Sequence, residues 1–412
     1  MDPNVRWLGF GAVVRAGGMT LVAPYVVLYL RNVLHLGYAE IGLLVALTGV
    51  VPLLIVPFAG LLTDRIGRRR VFLVALVAEA LAVLFVAAAM QERWLLGMVV
   101  STSLVYTVGT IAGPALSAYV ADFSVGSERT LAFTWVRIGW NVGFTLGVLA
   151  GGSLIGFIGF PDVGFLAGAV LLVSTTFLAV VLRPSPYDLA RGAARQLPAA
   201  DRPPTASFRE SARVLMRDRV FLAFCAAVAV AQLSITQWGW TFPLYANAVL
   251  GIPYSLIGVG LAINGLLVVF VQAPITKAGI GHRHTSLFVL GTALYAGGFL
   301  VLAGFAFAGV AIVAGFFLSI VVLTTGENLT SIPANTLPSN LAPPTEVGAY
   351  NGAFFAIVGA GQLLAQPLGG FVLALGANPL LTWGILVVPA LPAMLWLGGF
   401  IAPRVDPRAN RA

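Results

Sequence analysis

The sequence predicts an all-α membrane protein, with twelve transmembrane helices in two pseudo-symmetric six-helix bundles. Three observations predict it. Apolar runs of membrane-spanning length recur from end to end, basic residues gather on one side of those runs, and the second half of the chain repeats the first. Hydrophobic residues make up 59% of the 412 and charged residues 9%, against about 25% charged in soluble domains. No soluble fold could bury so much apolar chain. Runs of about 18 to 25 residues are what a hydrocarbon layer of about 30 Å requires of a helix. Barrel strands alternate with period two, so helices are the reading. The lone Cys225 sits in an apolar run, where an intrachain disulfide is impossible and a packed core position is expected. Arg6 followed by an apolar run has the look of a signal peptide, but Arg15 interrupts the run and no small-residue cleavage site follows, so this is read as a retained helix 1.

Turn and charge signals place the twelve segments, numbered 1 to 12, at starts near Leu8, Glu40, Val71, Trp94, Thr130, Val163, Val220, Tyr254, Thr285, Gly309, Gly348 and Pro379. Between segments 6 and 7 lies the one long polar stretch, in which Pro184, Pro186, Pro198, Pro203 and Pro204 discourage regular structure. The expected division is a bundle over 1–183, a linker over 184–218 and a second bundle over 219–412. Ser207-Phe-Arg-Glu210 has the form of a capping box, which predicts a short amphipathic helix at the end of the linker. Counting twelve spans puts 19 of the 23 basic residues on one side and only Arg31 and Arg93 on the other. Basic loops stay cytoplasmic, so both termini are expected there, in the cell membrane, with anionic lipid as the partner of the net +8 charge in place of nucleic acid.

The halves align without gaps from Tyr29–Gly42 onto Tyr245–Gly258 at a shift of 216, with 6 of 14 positions identical. Gly67-Arg-Arg-Arg matches Gly281-His-Arg-His, and Gly143, Gly147, Gly151 and Gly152 match Gly361, Ala365, Gly369 and Gly370. Three matches in order at nearly constant offset make segments 1 to 6 and 7 to 12 copies.

After segment 2 the chain reads Gly60-Leu-Leu-Thr-Asp64-Arg65-Ile-Gly67-Arg68-Arg69-Arg70. Gly60 permits close helix contact and Gly67 a tight turn. A basic cluster alone is a topology anchor, but with Gly60, Asp64 and Gly67 this stretch resembles the signature of the major facilitator superfamily. The resemblance, over the whole chain, implies two bundles rocking about a cavity near mid-membrane and moving a small solute by alternating access. It further implies a gating role for the motif, in which Asp64 faces the N-terminal dipole of helix 11 near Gly348, and Asp122, with Glu128 and Arg129 nearby, pairs with the motif's arginines. A solvated loop charge is the alternative for Asp122. The run Gly143-x-x-x-Gly147-x-x-x-Gly151-Gly152 resembles the glycine-rich motif of the family's antiporters, with Val148 where they carry proline; it equally suits close helix packing. Thr325-Gly326-Glu327-Asn328, Pro333, Leu341-Ala342-Pro343 and Tyr350-Asn351-Gly352 resemble the drug/proton antiporter branch.

Four ionisable groups fall inside helices: Arg15, Glu79, Arg137 and Glu327. Each costs about 2.5 to 3.5 kcal/mol at mid-membrane on insertion scales, so each should face protein or water and serve a purpose. Helices 1 and 10 line the cavity in this family, which makes Arg15 and Glu327 candidates for substrate or proton. Arg137 can neutralise Glu327 or a substrate anion, or pair with Glu79. Tyr25, Tyr29, Tyr106, Gln232, Gln237, Trp238, Trp240, Asn264 and Asn328 are candidate cavity residues, although Trp and Tyr also serve as interfacial anchors. None of the three histidines looks like a metal ligand or proton relay.

The expected function is proton-coupled efflux of lipophilic or cationic compounds by a monomer that needs no cofactor or metal. The alternatives are uptake or facilitated transport of a polar nutrient or organic anion, which Arg15 and Arg137 would suit, and lipid transport. An enzyme is not expected, because neither Gly-x-Ser-x-Gly nor His-Glu-x-x-His occurs.

Overall fold

The structure, a computed structural model, describes residues 2–124, 127–189, 214–343, 347–376, 378–405 and 410, without the side chains of 57, 60, 61, 64, 65, 127–130, 347 and 348. Most of the linker, including the helix expected from Ser207, lies outside them; only helical turns at 186–189 and 214–217 are described.

Twelve helices among the described residues are long and apolar enough to cross a membrane. They are α1 Pro3–Asn32, α2 Tyr38–Val56, α3 Arg68–Gln91, α4 Leu95–Asp122, α5 Leu131–Ile158, α6 Phe160–Val181, α7 Arg219–Ala248, α8 Tyr254–Gly279, α9 His284–Ala308, α10 Ile312–Leu341, α11 Ala349–Ala374 and α12 Pro379–Ile401. Several start before their apolar run, because helices begin at polar caps that precede the hydrocarbon. Asp2 accepts from the Asn4 amide at 2.7 Å with Pro3 at the first helical position, so α1 starts ahead of Leu8. Asp218 and Asn378 cap α7 and α12 in the same way. The helical backbone of α2 runs on to Ile66.

The chain folds as two units, residues 1–25 with 47–205 and residues 26–46 with 206–412. The first break falls at the tight turn Ala23–Tyr25, where Pro24 removes a backbone donor and interrupts α1. Residues 26–46, counted with the first bundle in sequence, therefore belong by their packing to the second unit. In the first unit α1 packs on α5 and α6, and α3 on α4 and α6, around Leu8, Phe72, Leu76, Tyr119 and Leu178. In the second, α7 packs on α11 and α9 on α10, around Phe221, Phe224, Phe288, Tyr350 and Phe354. Phe299 of α9 stacks on Trp383 of α12 at 4.7 Å, and Phe242 of α7 on Phe316 of α10 at 5.4 Å, tying four helices together. Outward residues such as Leu54, Val180 and Phe270 are exposed and apolar, which suits lipid in place of water.

The repeat seen in sequence is visible as geometry inside the second unit. Arg31 donates to the Leu36 carbonyl at 2.9 Å, and Asn247, its mate at the 216-residue shift, donates to Ile252, the mate of Leu36, at 2.9 Å. His35 and its mate Gly251 both take positive φ, 56° and 68°, to turn the two hairpins. Asn32 adds a polar link between them, donating to Asn247 at 2.7 Å and to the Tyr254 hydroxyl at 2.6 Å.

The glycines of α5 act through their missing side chains. A Cβ at Gly143, Gly147 or Gly151 would overlap the backbone of Val13, Gly17 or Leu21 of α1, and one at Gly361 would overlap Ala229 of α7. Between lipid-solvated helices such van der Waals contact supplies much of the association, since apolar surface gains little by leaving lipid. Gly147→Leu is expected to cost about 1–3 kcal/mol as overpacking, read as a lowered melting temperature in detergent. Gly156→Leu, on the same helix with nothing within 4 Å of its Cβ, should leave it unchanged.

Candidate functional site

Glu327 sits in the middle of α10 among short polar side chains that recur at helical spacing. Thr324 and Glu327 are three apart and share a face, and that face meets Asn264 of α8. The Asn264 side-chain amide, buried in the second unit, donates to Glu327 Oε2 at 2.8 Å and to Thr324 Oγ1 at 2.9 Å. Thr324 in turn donates to the Ile320 carbonyl at 2.7 Å, which fixes its hydroxyl as an acceptor toward Asn264. Tyr295 of α9 packs against the preceding residue, its backbone nitrogen 3.0 Å from where a Cβ at Gly326 would stand. Sequence singles out Glu327 and Asn264 separately; the structure brings them together and adds Thr324 and Tyr295, which no sequence signal marked. Asn328 is turned elsewhere, bonding the Thr324 carbonyl of its own helix at 3.1 Å.

In the first unit Arg15 of α1 meets Glu79 of α3 in a two-point contact, Nε to Oε2 at 2.6 Å and Nη2 to Oε1 at 2.8 Å. Glu79 is 1% exposed and Arg15 8%. The carboxylate also lies against α4 at Gly109, where a Cβ would stand 3.8 Å from Glu79 Oε1, an ordinary contact. The Arg15 guanidinium also lies 5.5 Å from the centre of the Trp140 ring, a cation–π contact. Glu79 is thus partnered by Arg15, and not by Arg137, the one pairing with Glu79 that the sequence analysis offered. Arg137 is exposed on α5, and among the described residues no ion pair engages its guanidinium.

Several candidate cavity residues are built into the packing. Tyr25 is fully buried and donates to the Val148 carbonyl at 2.5 Å, joining α1 to α5. Gln237 is fully buried and donates to Leu233 and Ala365 carbonyls at 2.8 and 2.9 Å while accepting from Thr241, joining α7 to α11. Tyr29 and Trp240 are buried as well. Gln232 and Trp238 remain half-buried and Tyr106 exposed, so these three keep surface that a solute could touch.

The motif's loop is a junction of the first unit. Arg68 donates to the Ala118 carbonyl at 3.1 Å and to Asp122, and lies 4.0 Å from the centre of the Tyr187 ring. Asp122 is therefore paired with a motif arginine and is not a solvated loop charge. Arg69 donates to the Leu182 and Ala179 carbonyls at the end of α6, at 2.9 and 2.8 Å, where a cation complements the helix terminus. Gly67, at φ 116°, admits Asp188, whose carboxylate accepts from the Arg68 and Arg69 amides at 2.7 and 3.1 Å and so caps α3. The second unit repeats the device: Asn410 accepts from the His284 and Thr285 amides at 2.7 and 3.0 Å and caps α9. Sequence analysis missed both caps, since both follow the last helix of their half. The available signal was Ser185-Pro-Tyr-Asp188, itself closed by an Asp188 amide to Ser185 Oγ bond of 3.1 Å. Asp188→Ala is expected to cost about 1 kcal/mol, seen as faster hydrogen exchange at the Arg68 and Arg69 amides. The side-chain surroundings of Gly60, Asp64, Arg65, Glu128, Arg129 and Gly348 lie outside the described residues. The Tyr-Asn-Gly stretch ties down the start of α11, with Tyr350 donating to Asp218 at 3.0 Å and Asn351 to Ser339 at 2.9 Å.

Comparison with known proteins agrees with this architecture. A family model described as Major Facilitator Superfamily matches residues 8–366. The chain is 29% identical over 265 residues to the class C tetracycline resistance protein of Escherichia coli, covering 63% of each chain. It is 26% identical over 262 residues to multidrug resistance protein 2 of Bacillus subtilis, covering 62% of this chain and 61% of that one. The matched segments thus span about three-fifths of these relatives' length. A crystal structure of a D-xylose-proton symporter superposes with a TM-score of 0.75 over 99% of this chain and 98% of the other, at 15% identity, a likeness of fold alone. With twelve apolar helices, a two-fold repeat and a family match over most of its length, the chain belongs to the major facilitator superfamily of membrane transporters.

Proposed function

We propose that this transporter expels lipophilic or cationic compounds in exchange for protons, with Glu327 as the group that carries the coupling proton. The observation that carries the reading is the Glu327–Asn264–Thr324 cluster. An amide offers both donors and an acceptor, so Asn264 can serve the carboxylate and, after rotation, the neutral acid. A bound organic cation and a bound proton are alternative ways to neutralise the Glu327 carboxylate, so binding one displaces the other. Exchange follows if the site faces one side of the membrane and then the other, as family membership implies. The similarity to a tetracycline resistance protein and a multidrug resistance protein supports export. In the first unit the Arg15–Glu79 pair is internally neutral, which leaves Arg15 little charge to offer an anion. Asp64 gates the cycle in this reading, and both termini face the cytoplasm.

A second reading, uptake of a polar nutrient or organic anion, is favoured by one observation, the exposed guanidinium of Arg137. Proteoliposomes decide between them. Proton-gradient-dependent movement of lipophilic cationic dyes is the expected result; gradient-independent movement of a single sugar or organic anion would replace the first reading with the second.

A further inference from the structure

Arg68, Arg69 and Arg70 open α3 as consecutive residues, so their side chains leave the helix about 100° apart. Two of the three directions are taken by protein, Arg68 toward α4 and Arg69 toward α6. The third is different. Arg70 is exposed, and it lines a cavity of about 570 Å³ bounded by α3, α4 and the end of the α2 helix. Among the described residues no hydrogen bond or ion pair engages its guanidinium. Among the described residues every other one that lines it is apolar, including Leu62, Ile66, Val74, Val108 and Ile111. Val74 is 61% exposed and Ile66 43%, so the groove is open along its side.

The described lining offers water no partner other than Arg70, and water needs two to four polar contacts to be held. From Arg70 to Ala78 the groove runs about 12 Å along α3, starting at the end of a transmembrane span, where head groups give way to hydrocarbon. A cation at head-group level with an apolar slot below it matches one abundant neighbour, a lipid with an anionic head.

We propose that this groove seats an anionic phospholipid, with the phosphate on the Arg70 guanidinium and one acyl chain lying between α2, α3 and α4 along Val74 and Val108. The guanidinium fork suits phosphate geometry. A zwitterionic lipid presents the same phosphate but brings an ammonium beside the arginine, so net head-group charge sets the preference. The seated chain would fill a gap in the packing of the first unit that no described side chain fills. This inference is independent of the transported solute and of its coupling.

Native mass spectrometry of the full chain in detergent, titrated with palmitoyl-oleoyl phosphatidylglycerol or the matching phosphatidylethanolamine, tests it. Wild type should hold one phosphatidylglycerol more tightly than phosphatidylethanolamine by roughly fivefold, the scale of one basic residue at a membrane surface. Arg70→Gln should bring the two lipids level, Arg70→Lys should keep most of the preference, and Val74→Trp should weaken both by filling the slot. Arg93→Gln, which removes an exposed arginine outside the groove, should change nothing. Wild-type binding by both Arg70→Gln and Val74→Trp would overturn the site. So would an equal loss in Arg93→Gln, which would mark diffuse charge attraction, or a Val74→Trp loss with Arg70→Gln unaffected, which would mark a slot blind to head groups.

Discussion

Glu327→Gln is expected to abolish proton-driven transport while leaving the protein folded and able to bind its substrate. Gln copies the size of the neutral acid and keeps an acceptor for the Asn264 amide, so the contact at 2.8 Å between α8 and α10 need not break. What it cannot do is release a proton. In the wild type, lowering the pH neutralises the carboxylate and removes the charge that holds a cation, so cation binding should weaken toward acid pH. In the Gln variant that dependence should vanish. Binding measured across pH in detergent, beside transport under an imposed gradient, separates the two effects. A Gln variant that still concentrates substrate using protons would make Glu327 a structural partner of Asn264, and the antiport reading would lose its central residue.

The second large effect belongs to the first unit. Glu79→Gln should destabilise the protein by about 3–5 kcal/mol, because it leaves Arg15 buried without its counter-charge. Arg15→Met combined with Glu79→Leu should be far milder, since removing both charges also removes the cost of burying them. Denaturation in detergent gives the two values. If the double variant is stable and still transports, the pair is a structural lock; if it is stable and inactive, the pair takes part in the cycle. Equal destabilisation by the single and double variants would mean that packing at this position, and not charge, matters.

Much of this architecture is legible in the sequence because a bilayer imposes simple rules on composition. Twelve spans follow from apolar run length, and the repeat follows from the match between Tyr29–Gly42 and Tyr245–Gly258, which the structure reproduces as equivalent hairpin bonds. The family follows from the stretch between Gly60 and Arg70. Partners are another matter. Arg15 and Glu79 are 64 residues apart and Asn264 and Glu327 63 apart, so which charges meet depends on which helix faces turn toward each other. The low contrast between apolar residues leaves those faces unmarked. Tyr25 and Gln237 illustrate the cost: both are candidate cavity residues, yet Tyr25 bonds a carbonyl of α5, and Gln237 bonds one carbonyl of its own helix and one of α11. An apolar medium makes that use of a polar side chain as demanding as solute recognition, and sequence position does not distinguish them.

The two helix caps bear on how the chain is made. Asp188 closes the start of α3 from 120 residues downstream, and Asn410 closes the start of α9 from 125 residues downstream. At about 5–20 residues per second of synthesis, α3 waits roughly 6–25 s after leaving the ribosome before its cap exists. During that interval the first free amides of α3 have only water or lipid head groups to bond. Each half is therefore clasped by a residue that follows its sixth span, and a ribosome stalled just after α6 would hold the first six spans without that clasp.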